Sequence, residues 1–161
     1  MDLRKQFIEE LEKYAKTNDK VIFITADVGF SFLDPLKKIL GDRFFNLGIT
    51  ESSAMLTAGG LAKEGYKVFI YSMIPFVLFR PFEMVRTVIG CGNLDVTLLG
   101  VSGSEAYSML GYSHNMISAD EDAKHARLIP NFSVYTPTTE DMMRKTAIRT
   151  FKETNPKFIR L

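Results

Sequence analysis

The chain has 161 residues, enough for one domain, residues 1–161, with a sizeable apolar core. Its formal net charge is +1 and 24% of its residues are charged, a balance that gives no support for binding nucleic acid or an anionic membrane surface. A single cysteine, Cys91, excludes an internal disulfide and fits a reducing cytoplasm, which is the expected location. The opening MDLRKQFIEELEKY reads as a charged helix rather than an export leader. No apolar run approaches the roughly 20 residues needed to span a bilayer.

In chain order, Asp2 can cap a first helix whose apolar side is Leu3, Phe7, Ile8, Leu11 and Tyr14. Residues 21–26 (VIFITA) form a short, almost uniformly apolar run of the kind expected for a strand covered on both faces. Similar runs recur at 44–45, 68–71, 96–101, 133–135 and 158–159. Helical patterns lie between them at 33–40, 51–64, 81–90, 120–128 and 138–153. The last has Thr138 as its expected cap, with Glu140 and Asp141 placed to complement the helix dipole. This alternation predicts a single-domain α/β fold with a mostly parallel sheet and helices on both faces.

In such sheets ligands bind beyond the carboxyl ends of the strands. The chemically interesting residues fall there: Asp27 after the first strand, Glu51 after the second, Phe76 and Phe79 after the third, and the loop 103–114 after the fourth. Neither a GxGxxG fingerprint nor a GxxxxGK[ST] loop is present, so the chain offers no phosphate cradle of either common type. His114 and His125 lack a CxxC or HExxH context for a metal, and no G-x-S-x-G elbow presents a nucleophile. What remains is a pocket with an acid, aromatic rings and a histidine.

The run Gly48-Ile49-Thr50-Glu51, the segment Phe76, Arg80, Phe82, Glu83, Val85, Arg86, and Gly111-Tyr112-Ser113-His114 together resemble the pyrimidine-binding domain of the transketolase family. The resemblance covers nearly the whole chain. It implies the thiamine-diphosphate-binding pyrimidine-domain fold, and a thiamine diphosphate cofactor whose Mg2+ is held by a partner domain. Glu51 would be the glutamate that hydrogen-bonds N1′ of the cofactor's aminopyrimidine, promoting deprotonation of the thiazolium C2. Phe76 would stack on the pyrimidine, with Phe79 on the same wall. Asp27 and Val28 in the Ala26-Asp27-Val28 segment, together with Ile49, would line the cofactor. Ser31 and Arg4 match positions that bind substrate phosphate, a task to which the paired donors of a guanidinium are suited. His114 would hydrogen-bond sugar oxygens and assist proton transfer. His125 is read as structural or exposed.

Three departures accompany the resemblance. Met73 stands where many relatives have phenylalanine, and Ser102 and Leu110 stand where transketolases place an acceptor-selecting histidine and aspartate. No GDG motif is present for the diphosphate and its metal. The expectation is therefore the pyrimidine-binding subunit or fragment of a split, transketolase-like enzyme that transfers a two-carbon ketol unit between sugars or sugar phosphates. It would need a diphosphate-binding subunit carrying a GDG motif, as a homodimer or hetero-oligomer. Subunits of 2-oxoacid dehydrogenases or decarboxylases, and a non-catalytic assembly or regulatory subunit, are the alternatives.

Overall fold

The structure, a computed structural model, describes residues 2–101 and 105–161. Six strands form one sheet: β1 (Val21–Thr25), β2 (Phe44–Asn46), β3 (Lys67–Met73), β4 (Val96–Val101), β5 (Ser133–Tyr135) and β6 (Lys157–Arg160). Their order is β2-β1-β3-β4-β6-β5. Every pairing is parallel, so the mostly parallel sheet expected from the sequence is wholly parallel. β1, β3 and β4 are buried along nearly their whole length, which is why they read as unbroken apolar runs. The three-residue strands β2 and β5 form the edges, and short edges offer little to a foreign strand.

Alternation along the strands divides the core in two. Phe23, Phe69, Tyr71, Leu99 and Ile159 face α1 (Leu3–Ala15), α2 (Asp34–Leu40) and α6 (Glu140–Lys152). Ile22, Ile24, Val68, Ile70, Leu98 and Phe158 face α3 (Glu51–Lys63), the helical stretch 75–90 and α5 (Glu121–Ala126). Each fully buried side chain of this size contributes roughly 1.5–3 kcal/mol of transfer free energy. Asp2 caps α1 as expected, accepting from the Arg4 amide. The cap of α6 is Thr139 and not Thr138: the Thr139 hydroxyl accepts from the Met142 amide, while that of Thr138 lies against the Met142 sulfur. The extended backbone of Thr139 aims its oxygen at the orphan amides of the first turn.

The segment read as one helix over 81–90 is more complex. Pro75–Phe79 is a π-helical turn, α4 (Phe82–Met84) is a single short turn, and Val85–Gly90 is π-helical again. The Arg80 amide donates to Pro75 O at 2.9 Å and the Cys91 amide to Arg86 O at 2.9 Å, both spanning five residues. Pro81 lacks the N–H that would continue a regular ladder, so the chain takes the wider turn before it.

This order puts a switch point between β1 and β3. The chain leaves β1 through α2 on one face, returns through β2, and leaves again through α3 on the other face before entering β3. Neighbouring strands whose connections depart to opposite faces open a crevice at their carboxyl ends.

Candidate active site

Glu51 is the first residue of α3, at the rim of this crevice. Two features of the preceding loop set its place. Gly48 has φ +67, a conformation that L side chains rarely adopt, and nothing lies within 4 Å of where its Cβ would be; backbone shape, not space, calls for glycine. The Asn46 side-chain oxygen accepts from the Gly48 amide and from the Asp27 amide, each at 3.0 Å, so it ties the entry to α3 to the end of β1. Thr50, at the cap position, donates its hydroxyl to Leu47 O and leaves the first amides of α3 uncapped. The Glu51 carboxylate sits within that field, where a negative charge is favoured. Farther along α3, a Cβ on Gly59 would come within 2.7 Å of Val88, so glycine there allows α3 to approach the 85–90 turn closely.

The Glu51 side chain is only 13% exposed and its Oε1 accepts from Nη1 of Arg80 at 2.8 Å. The same guanidinium lies over the Phe76 ring, 3.9 Å from its centroid. Residues four apart share a helical face, so the Phe76 to Arg80 spacing makes this contact available within one turn. The Phe76 ring also meets His114 edge-on, with centroids 4.9 Å apart at 77°. Glu51, Arg80, Phe76 and His114 therefore form one chain of contacts drawn from α3, the loop after β3 and the loop after β4.

His114 directly follows a 3-10 helical stretch, Glu105–Ser113, kinked at Gly111, where a plain loop was expected. Its Nδ1 lies 2.8 Å from the Ser113 hydroxyl, which also reaches Leu110 O at 3.3 Å. The Ser113 hydroxyl can donate or accept at Nδ1, so this contact fixes the orientation of the imidazole ring. The loop after His114 is anchored in turn: the Glu121 carboxylate accepts from the Ile117 amide, and Arg160 at the end of β6 binds Asp122 and Asp120. Asp122 is fully buried under this guanidinium. The hydrogen bonds from Arg160 hold the Asp120 carboxyl below the ordinary range, and those to Asp122 and Asp120 raise Arg160 further above its own.

The other expected site residues are distributed around this chain of contacts. Asp27 is exposed with φ +56. Val28 packs partly into the α1 side of the core, its carbonyl receiving the Thr25 hydroxyl. Ile49 is 71% exposed, an apolar side chain standing free beside Glu51. Phe79 turns toward α5, against His125 at 5.1 Å, and packs with the core on that side. His125 donates from Nδ1 to Glu121 O and meets Phe82 as well, consistent with a structural role. Ser31 is exposed with φ +61. Arg4 is engaged by both oxygens of Asp2 and lies over Phe32, 5.3 Å from the ring centroid. Those bonds lower the Asp2 carboxyl and raise Arg4. Leu110 is 45% exposed, and Ser102 and Gly103 lie outside the described residues.

The sequence alone does not single out Arg80, Asn46 or Ser113 as site residues. Arg80 and Ser113 lie inside the motifs, and their spacing to Phe76 and His114 is the available signal. Asn46 carries no local pattern, because both amides it binds are set by the meeting of β1 and β2. Among the described residues no group of three or more His, Cys, Asp and Glu is arranged to hold a metal, and no helix is long and apolar enough to cross a membrane.

The fold is an α/β domain built on one parallel sheet, with the candidate residues gathered at its carboxyl edge. The whole chain, residues 1–161, matches the family described as "Transketolase, pyrimidine binding domain". It is 31% identical over 143 residues to an apulose-4-phosphate transketolase subunit of Phocaeicola vulgatus, covering 88% of this chain and 45% of that protein. Against 1-deoxy-D-xylulose-5-phosphate synthase of Synechococcus sp. strain WH7803 it is 32% identical over 164 residues, covering 98% of this chain and 24% of the synthase. A solved structure of a split-gene transketolase, an inactive β4 tetramer, superposes with a TM-score of 0.85 at 28% identity, covering 99% of this chain and 50% of that one. The chain spans half or less of the length of these relatives. It belongs to the transketolase pyrimidine-binding domain family.

Proposed function

We propose that this chain is the pyrimidine-binding part of a thiamine-diphosphate-dependent, transketolase-like enzyme, acting with a diphosphate-binding partner that carries a GDG motif and holds Mg2+. The observation that carries the reading is the occupant of the crevice. A planar, hydrogen-donating group, the Arg80 guanidinium, lies over Phe76 while bonded to the Glu51 carboxylate. An aminopyrimidine is also planar, stacks on an aromatic face and can share a proton with a carboxyl group. The residues present fit such a ring.

In this reading thiamine diphosphate, when bound, supplies the nucleophilic carbon and the electron sink that two-carbon transfer needs. Glu51 would hold the proton shared with ring nitrogen N1′, and Phe76 would carry the ring, with Phe79 behind it. Asp27, Val28 and Ile49 would border the cofactor where the partner closes over it. His114 would accept or return a proton at a sugar hydroxyl, its ring held by the Ser113 hydroxyl at Nδ1. Ser31 and Arg4 would meet a substrate phosphate, provided that Arg4 can exchange Asp2 for it. The related split-gene transketolase, described as an inactive β4 tetramer, supports the requirement for a partner.

The test is reconstitution. Mixed with a GDG-bearing diphosphate subunit, thiamine diphosphate and Mg2+, the chain should transfer a two-carbon unit from a ketose donor, and neither subunit should do so alone. The similarity to 1-deoxy-D-xylulose-5-phosphate synthases favours a second reading with the same cofactor, in which the complex makes a 1-deoxy sugar phosphate. Formation of that product without ketol transfer would select it. A stable complex that performs neither reaction would leave an assembly or regulatory subunit.

A further inference from the structure

We infer that Arg80 is an internal occupant of the ring site: in the free chain its guanidinium covers Phe76 and holds Glu51, and it must leave both for a cofactor ring to seat. The inference rests on the proposed cofactor reading and adds to it a residue that competes with the ligand.

The geometry supports direct competition. The guanidinium carbon is 3.9 Å from the Phe76 centroid, a stacking distance, and a ring face at that separation admits one planar group at a time. His114 takes a second, edge-on position on the same ring. On Glu51, Oε1 is committed to Arg80, and the carboxylate is mostly enclosed. The two functional contacts proposed for the pyrimidine, a ring face and a carboxyl oxygen, are thus both made by one side chain. Release is feasible because the Arg80 side chain as a whole is 45% exposed. The backbone need not move. The Arg80 amide is held by Pro75 O, and release asks only that the arginine side chain rotate.

In this arrangement the Glu51 charge is neutralised and a Phe76 face is covered by one side chain. An enclosed carboxylate and an open aromatic face would otherwise stand unsatisfied on the chain. A purely structural Arg80 would act in the opposite sense, holding Glu51 in place for the ligand.

The experiment titrates the purified chain with 4-amino-2,5-dimethylpyrimidine, which carries the ring without the diphosphate, and follows the His114 and Phe76 resonances by NMR. Arg80→Ala should bind the probe more tightly, on the order of fivefold, the scale of a half-exposed ion pair and a cation–π contact. In the wild-type chain, raising salt from about 20 mM to about 0.5 M should tighten binding by weakening the internal pair, whereas Arg80→Ala should not respond. Glu51→Gln serves as the control for the ring site. If wild type and Arg80→Ala bind equally, or the variant binds more weakly, while Glu51→Gln weakens binding, the ring site stands and the competition is overturned. If no form binds the probe, the inference falls, and the cofactor reading is decided separately by reconstitution with the diphosphate subunit. Should Arg80→Ala misfold, the wild-type salt dependence decides alone: binding that weakens or stays level with salt overturns the competition.

Discussion

The two ends of the sheet each carry a carboxylate held by cations, and they are built to opposite purposes. At the amino ends of β3, β4 and β6, Asp95 receives Lys67 on one oxygen and Lys157 on the other. Both ammonium groups also donate to backbone carbonyls, of Glu153 and Asn155. Lys157 is 0% exposed, and burial pulls its ammonium below the ordinary lysine value. At the carboxyl ends, Glu51 is held among the described residues by one cation, Arg80, which is nearly half exposed and rests on a ring. The first cluster is saturated and closed, a tie between three strands. The second is a pair that one side-chain rotation opens. Burying and fully bonding an ion pair fixes it in place, since losing either partner strands a charge in a poor solvent. Leaving one partner in water keeps the exchange cheap.

This contrast can be broken at several points. The largest effect on stability is expected at the closed end. Asp95→Asn would leave two buried ammonium groups without a counter-charge and should cost about 3–5 kcal/mol, read by urea denaturation. At the open end the loss should appear in turnover instead. Glu51→Gln should lower ketol transfer by the reconstituted complex by roughly 100-fold or more, with a stability change below about 1 kcal/mol. Retained turnover would remove Glu51 from its assigned role. Phe76→Ala should weaken thiamine diphosphate binding to the complex by about 1 kcal/mol, roughly fivefold, measured by calorimetry. The smallest effect concerns Asp2, a third carboxylate, which is 41% exposed and bonded to Arg4. Its hydrogen bonds to Arg4 lower its folded value below the ordinary 3.8. That stabilisation is complete above pH 3.8 and fades as the pH falls through the lower folded value. Asp2→Asn, which keeps a cap oxygen, should remove this part of the acid sensitivity at a cost of a few tenths of a kcal/mol, seen in melting temperatures between about pH 5 and pH 2.

The strands are legible in the sequence because β1, β3 and β4 are buried on both faces, and such burial writes unbroken apolar runs. Helices α1 and α6 are legible from apolar spacing and from polar residues at their starts, with Thr139 displacing Thr138 by one position. The stretch 75–90 is not. Its apolar residues suit any helical period, and the wider turns follow from the missing N–H of Pro81 and from packing against α3. In the site, motifs nominate Glu51, Phe76 and His114, and the tertiary structure brings those three into one chain of contacts. Phe79 is nominated on the same grounds, and its ring meets His125 of α5.

The sequence by itself determined the class of the fold and the chemical inventory of the crevice, because periodicity and motif spacing are local properties of the chain. Only the tertiary structure decided which of those groups meet and what holds them. Arg80 is four residues from Phe76 and 29 from Glu51, and a sequence cannot say that one guanidinium reaches both. That contact exists because α3 and the loop after β3 converge at a switch point between two parallel strands, where the geometry of the sheet, not the order of residues, sets the distance.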